Sequence, residues 1–192
     1  MWLRYQANRE LSKQTPYVAE AEHFARRALQ NIALSYLMLS GKPEVLAATL
    51  DQFDTSDNMT ERLTALAVLV NSPFEAEKAQ ALAVFAENFK DNPLVMDQWF
   101  SVQAGSTLPG GLARVKALME HPAFTIKNPN KVRALVGAFA GQNLLGFHQA
   151  KLPRTARIFH GGERACAGAA VIAGDGDKIR IGFRHAGSDG AD

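Results

Sequence analysis

The stretch AEAEHFARRALQNIALSYLML, residues 19–39, decides the fold class. Ala21, Phe24, Ala25, Ala28, Leu29, Ile32, Ala33, Tyr36 and Leu37 recur at i, i+3, i+4 and i+7, which lays one apolar stripe along a helix. His23, Arg26, Arg27 and Gln30 fall mostly off that stripe. Gly41 and Pro43 stop the run, and Pro43 suits the first position of a second helix reaching Phe53. Asn58 with Glu61 has capping-box order and opens a helix to Val70. Ser72 with Pro73 at the first helical position caps a helix from Phe74 to Phe89, with Ala79, Leu82, Ala83, Ala86 and Phe89 inward. After the Asp91-Asn92-Pro93 break comes a helix over 94–103. Pro109-Gly110-Gly111 is a loop, 112–120 is helical, and Pro122 and Pro129 bracket an extended link.

Strands are scarce through residue 148, with no Asn-Gly or Asp-Gly turn between alternating runs. Short alanine-rich helices on short links pack as antiparallel hairpins. The expected fold is therefore all-α, an irregular armadillo- or HEAT-like helical solenoid, although no fixed consensus repeats. A compact helical bundle is the alternative. Residues 1–148 form the helical-repeat domain.

The last 44 residues read differently. Residues 149–192 hold eight of the fifteen glycines and one leucine, Leu152. Ile179, Ile181 and Phe183 alternate with Arg180, Gly182 and Arg184 as a lone strand without a convincing partner, unstable by itself. The GDGD run lacks the spacing and closing glutamate of a calcium loop. The expectation is a poorly ordered or out-of-frame tail.

Composition bounds the function. The 192 residues are 47 % hydrophobic and 21 % charged, with net charge +2, so no strong field for nucleic acid or an anionic membrane arises. The single Cys166 fits a reducing, cytoplasmic setting. The first six residues lack the apolar run of a signal peptide, and no apolar run is long enough to span a membrane. The five histidines include no H-E-x-x-H pair, and His160 with Cys166 is a weak metal signal. No G-x-S-x-G elbow occurs, and Gly137 and Gly141 are wrongly placed for a phosphate loop. Arg26 and Arg27 read as a solvated face or a link to a neighbouring segment. Asp51, Asp54 and Asp57 lie in a loop-like run suited to capping. Of Trp99 and Phe100, one is expected in the core and the other on a groove or a neighbouring domain. His121 and His148 close helices, where an imidazolium favours the dipole. The residues alone describe a helical scaffold with no catalytic constellation.

The segment NPNKVRALVGAFAG, residues 128–141, is the least generic. Asn128 caps, Pro129 takes the first helical position, Leu135, Val136, Phe139 and Ala140 pack inward, and Gly141 ends the helix. Together with 25–38, DNMTERLTALAVLVN at 57–71 and NPLVMDQWFSVQA at 92–104, it resembles, in the same order, the C-terminal helical domain of the bacterial aminopeptidase N family. The resemblance covers about residues 4–148. It implies a superhelix that caps a zinc catalytic domain, encloses a cavity and limits which peptides reach the metal during removal of N-terminal amino acids. Neither the zinc motif nor the G-A-M-E-N motif of that family occurs here. The implied chain is a fragment without catalytic residues or its own cofactor. Zinc would belong to the missing catalytic domain, that domain and the N-terminal one would be its partners, and peptides the substrates of the whole enzyme. The substrate-channel candidates are Arg133, Asn130 and Asn128. Arg133 shares a helical face with Asn130; in the family the matching arginine looks placed to meet a peptide carboxylate or carbonyl, and pairing with a neighbouring carboxylate is the structural alternative. Lys131 is expected at solvent. A stand-alone interaction scaffold is the other functional reading, and a small metal enzyme using His160 and Cys166 a third. A lid cut from its partner exposes apolar surface, so association is expected.

Overall fold

A computed structural model of the chain describes residues 1–149, 170–175 and 178–183. Helices α1 (Trp2–Gln14), α2 (Ala21–Met38), α3 (Pro43–Thr55), α4 (Met59–Val70), α5 (Glu75–Phe89), α6 (Pro93–Ala104) and α7 (Gly111–Met119) follow one another on short links. A composite helix comes next: α8 (Pro129–Val132), a π-helical turn (Arg133–Gly137) and α9 (Ala138–Gln142). Helix α10 (Leu144–Gln149) follows. The main contacts step along the chain: α2 on α4, α4 on α6, α6 on the π-turn, with α1, α3, α5 and α7 packed beside them. Each layer rests on the next, which is the solenoid logic read from the sequence.

Local chemistry sets the starts. Pro93 opens α6 behind Asn92, whose Oδ1 accepts from the Val95 N–H at 3.3 Å. Asn58 Oδ1 accepts from the Glu61 N–H at 2.9 Å. The reciprocal half of the expected capping box is absent, because the Glu61 carboxylate is taken by Arg9 and Ser56. Gly110, at φ 81, adopts the left-handed backbone that starts α7. Ser72 and Pro73 precede α5 by more than expected; the Ser72 hydroxyl donates to Leu69 O at the end of α4 and accepts from the Phe74 N–H. The helix expected to stop at Gly141 runs to Gln142, and Asn143 ends it.

Two apolar clusters form the core. The larger links α3 to α9 around Leu66, Phe85, Met96, Phe100 and Leu135; the smaller joins Tyr5, Leu34, Met38, Val45 and Val68. Trp99 and Phe100 are both buried, rather than divided between core and groove, and Trp99 Nε1 donates to Leu82 O at 3.1 Å. In α5 the buried residues are Ala81 and Phe85, while Ala79 and Ala83 are exposed, so the helix is rotated from the expected stripe.

Helix α1 has no apolar stripe of its own and gave no helical signal in the sequence. It is held by Tyr5 and Arg9, buried against α3 and α4. The strand expected to stand alone has a partner: Ala170–Asp175 (β1) and Lys178–Phe183 (β2) pair antiparallel, Ile172 opposite Ile181. The order expected for the rest of the tail lies outside the described residues; of the GDGD run, Gly174 and Asp175 end β1 and residues 176–177 lie outside the described residues.

Candidate functional site

The candidate channel residues sit where the composite helix leaves the 120–128 link. Asn128 Oδ1 accepts from the Asn130 N–H at 2.9 Å, which fixes the first turn behind Pro129. Helix α6 then anchors the next turns. Lys131 is 6 % exposed, against the expectation of a solvent-facing side chain. Its Nζ lies 2.8 Å from Asp97, donates to Pro93 O at 3.0 Å and sits 5.6 Å from the centre of the Phe100 ring. A buried ammonium needs such a set of partners to offset its lost hydration. One turn on, the Ser101 hydroxyl donates to Ala134 O at 2.9 Å, within the π-turn. A π-turn is a rare, strained feature that aligns poorly with an apolar repeat, and periodicity does not reveal it.

These anchors leave Arg133 exposed at the first position of the π-turn, its Nη1 donating to Asn130 Oδ1 at 3.4 Å. The carboxylate pairing considered for Arg133 is made by Lys131 instead. The structure therefore places exposed Asn130 and Arg133 beside half-buried Asn128, whose oxygen is taken by the cap, and leaves a guanidinium edge of the kind that pairs with a carboxylate or a carbonyl. This corner holds no acid–base pair and no nucleophile. Asn143 braces the other end of the composite helix: its Nδ2 donates to Ser106 O, and its Oδ1 accepts from the Gly146 N–H at 2.9 Å. A Cβ on Gly111 would meet Asn143 Nδ2 at 2.8 Å, so only glycine admits this approach.

A second polar constellation, missed in the sequence, lies inside the α1–α4 layer. Arg9, 6 % exposed, donates to Glu61 Oε2 at 3.1 Å, to Asp51 at 3.3 Å, to Asp51 O at 3.2 Å and to Thr55. Asp51 belongs to α3, not to a capping loop, and also holds Lys13 at 2.9 Å. Partial burial pushes the Asp51 carboxyl up, but the Lys13 hydrogen bond and the Arg9 and Lys13 charges outweigh it and hold it below its usual 3.8. The Tyr5 hydroxyl donates to Ala48 O and Gln52 Oε1, and burial pushes this phenol far above its usual range, with Arg9 pulling weakly the other way. Gln52 in turn accepts from Gln30 and donates to Asn31 Oδ1 and Glu61 O. The network fastens α1, α2, α3 and α4 to one another. One buried atom in it, Glu61 Oε1, has no hydrogen-bond partner among the described residues, and the role of the network is architectural.

Arg27 is the link to a neighbouring segment: it donates to Val18 O at 3.3 Å and lies over the Tyr17 and Phe24 rings. His121 packs against Trp99 and Phe100, and its Nδ1 accepts from the Ala123 N–H at 3.1 Å, just past the end of α7. The His148 side chain, His160 and Cys166 lie outside what is described. Among the described residues no three His, Cys, Asp or Glu side chains gather where they could hold a metal ion. No helix among the described residues is long and apolar enough to cross a membrane.

Residues 3–151 match a domain of unknown function described as ARM repeats (DUF3458_C). The chain is 36 % identical over 135 residues to aminopeptidase N of Escherichia coli (strain K12), covering 70 % of this chain and 15 % of that protein. Against aminopeptidase N of Haemophilus influenzae it is 34 % identical over 132 residues, 69 % of this chain and 15 % of the relative. The fold superposes on the crystal structure of Legionella pneumophila aminopeptidase A in complex with aspartic acid with a TM-score of 0.63 and 29 % identity, over 77 % of this chain and 19 % of that one. The chain thus spans about 15 % of the length of the curated relatives it matches. By its match over residues 3–151 the chain belongs to the DUF3458_C family of ARM-repeat domains, and it is homologous to one part of aminopeptidase N.

Proposed function

We propose that the chain serves as a helical wall in an aminopeptidase, flanking a catalytic domain carried elsewhere on the polypeptide and limiting which peptides reach it. Homology to aminopeptidase N over most of the helical layers supports this reading. In it, residues 1–148 are part of a larger superhelix and 149–192 stand apart. The zinc, the peptide-bond chemistry and the partner surfaces belong to the other domains of the enzyme, in a cytoplasmic setting.

One observation carries the residue assignment: Lys131 is locked onto Asp97 while Arg133, two positions on, keeps its guanidinium edge free beside Asn130. A fixed surface arginine at the mouth of a peptide chamber would bind a substrate's C-terminal carboxylate through charge-assisted hydrogen bonds. Arg133→Ala in the full-length enzyme should raise KM for tripeptides with a free carboxylate about tenfold, the worth of one such bond at about 1.5 kcal/mol. Hydrolysis of an aminoacyl anilide, which lacks the carboxylate, should be unchanged. Equal loss on both substrates, or no change on either, removes Arg133 from the substrate path.

A further inference from the structure

The π-turn at Arg133–Gly137 re-routes a backbone hydrogen bond. The Ala138 N–H is shared between Arg133 O and Leu135 O and passes over Ala134 O, its partner in a regular α-helix. Ala134 is buried, and a buried carbonyl without a partner is costly. The replacement comes from another helix: Ser101 Oγ of α6 donates to Ala134 O at 2.9 Å. That hydroxyl has one hydrogen and two carbonyls in reach, since Asp97 O lies at 3.0 Å. Asp97 O stands one turn back in α6, where the helix ladder already supplies it with the Ser101 N–H. Ala134 O has lost that supply, so the hydrogen goes there.

A π-turn is rare, and a side chain that inserts into the helix ladder is one of the few causes that hold a helix away from regular geometry. Without the Ser101 hydroxyl, the Ala138 N–H returns to Ala134 O. That exchange releases Arg133 O, on an exposed residue with water as an alternative partner, in place of a carbonyl on a buried one. Closing the wide turn removes one residue from it. The two sides of the helix then rotate against each other by about 100°, one residue at 3.6 per turn. Leu135, Val136 and Phe139 are fixed in the core behind the turn, so the rotation falls on the residues ahead of it. Lys131 is tethered there to Asp97 and Pro93 O, through a flexible stem that follows part of the movement. Arg133 has the 3.4 Å contact to Asn130, on the same moving segment.

We propose that Ser101 is a positioning residue for Arg133: its hydroxyl latches the π-turn open, and the open turn sets the direction in which Arg133 presents its guanidinium to a carboxylate. The positioning role deepens the reading of Arg133 as a contact for a peptide's C-terminal carboxylate and rests on it. The latch itself does not, because it belongs to α6 and the composite helix. Specificity follows from geometry. A planar guanidinium pairs with a carboxylate through two parallel bonds only when its edge is aimed, so rotating the turn weakens substrates with a free carboxylate and leaves others unchanged.

Through-hydrogen-bond NMR couplings on the isotope-labelled chain identify the carbonyl partner of each amide. In the parent chain the Ala138 nitrogen should couple to the Arg133 carbonyl. In Ser101→Ala it should couple to the Ala134 carbonyl, and Ser101→Thr, which keeps a hydroxyl, should restore the parent pattern. In the full-length enzyme, Ser101→Ala should raise KM for a tripeptide with a free carboxylate about threefold, with kcat and anilide hydrolysis unchanged. Ser101→Thr should recover the parent KM. A coupling that stays on the Arg133 carbonyl in Ser101→Ala would overturn the proposal, since the turn would then be held by Lys131 and the core alone. A coupling that moves while KM stays, with Arg133→Ala still raising KM, would make Ser101 structural and overturn it as well. A moved coupling with both variants silent in KM marks the failure of the channel reading instead, and the positioning role ends with it.

Discussion

Asp51 shows how one residue's neighbours set its value to the fold. It touches Arg9 and Lys13 at once, and its carboxyl is held below its usual 3.8 in the folded chain. A depressed carboxylate contributes stability that is present above the unfolded value and is lost as pH falls through the folded one. The side chain is 37 % exposed, so solvent screening keeps the contribution small, about 1 kcal/mol or less. Asp51→Asn should lower the melting temperature at pH 7, and the gap to the parent chain should close as pH drops below about 4. Thermal melts at a series of pH values read this directly; a gap that does not narrow as pH falls below about 4 would mean that Asp51 acts through packing. Lys131 and Arg133 make the complementary point. Two cations two positions apart, on roughly opposite sides of one turn, have opposite fates because Asp97 and Pro93 O lie under one of them and not the other.

At the scale of elements, α1 depends on polar contacts. Its sequence supplies one large buried aromatic residue, Tyr5, and its hold on α3 and α4 runs through Arg9. Glu61, 1 % exposed, is the receiving partner and would be left as an uncompensated buried charge without the arginine. Breaking such a pair costs about 3–5 kcal/mol, whereas replacing both members by apolar residues of similar volume can be neutral. Arg9→Ala should therefore destabilise by about that amount in urea unfolding, and Arg9→Met with Glu61→Leu should recover most of the loss. If the double variant is as unstable as the single one, the network around Gln52 and Tyr5 matters more than the ion pair. The composite helix follows the same rule. Its polar start and π-turn are shaped by Asp97 and Ser101 of α6, not by its own sequence.

For the whole molecule, stacked layers predict graded stability. Helix α4 is packed on four sides by α2, α3, α5 and α6, and α6 is sandwiched between α4, α5, α7 and the π-turn. Helix α1 has its main packing on α2 alone. In a solenoid each repeat leans only on its neighbours, so opening starts at an end. Amide hydrogen exchange should be slowest in α4 and α6 and faster by orders of magnitude in α1. Uniform protection from α1 to α9 would show one cooperative block instead. The polar network at the α1–α4 end and the apolar cluster from α3 onward make that gradient physical: one end is held largely by buried hydrogen bonds and ion pairs, the other by buried rings.

The amino-acid order by itself determined where helices begin and break, because Asn92, Pro93, Asn58, Pro43 and Gly110 act within a few residues of themselves. It also determined the solenoid class and the kinship with aminopeptidase N, which rest on segments read in order. What it left open were the facings. Most of the α2 stripe points to solvent while Ala33 is buried and Leu37 half-buried, α5 is rotated, Lys131 is buried and Arg133 is exposed. Periodicity states that a helix has two unlike sides, and only the neighbours decide which side is covered. In α2 the covered side mixes Ala33, Leu34 and Met38 with Gln30 and Asn31, because Gln52 of α3 and Ser12 of α1 offer those two amides hydrogen bonds that no single segment contains.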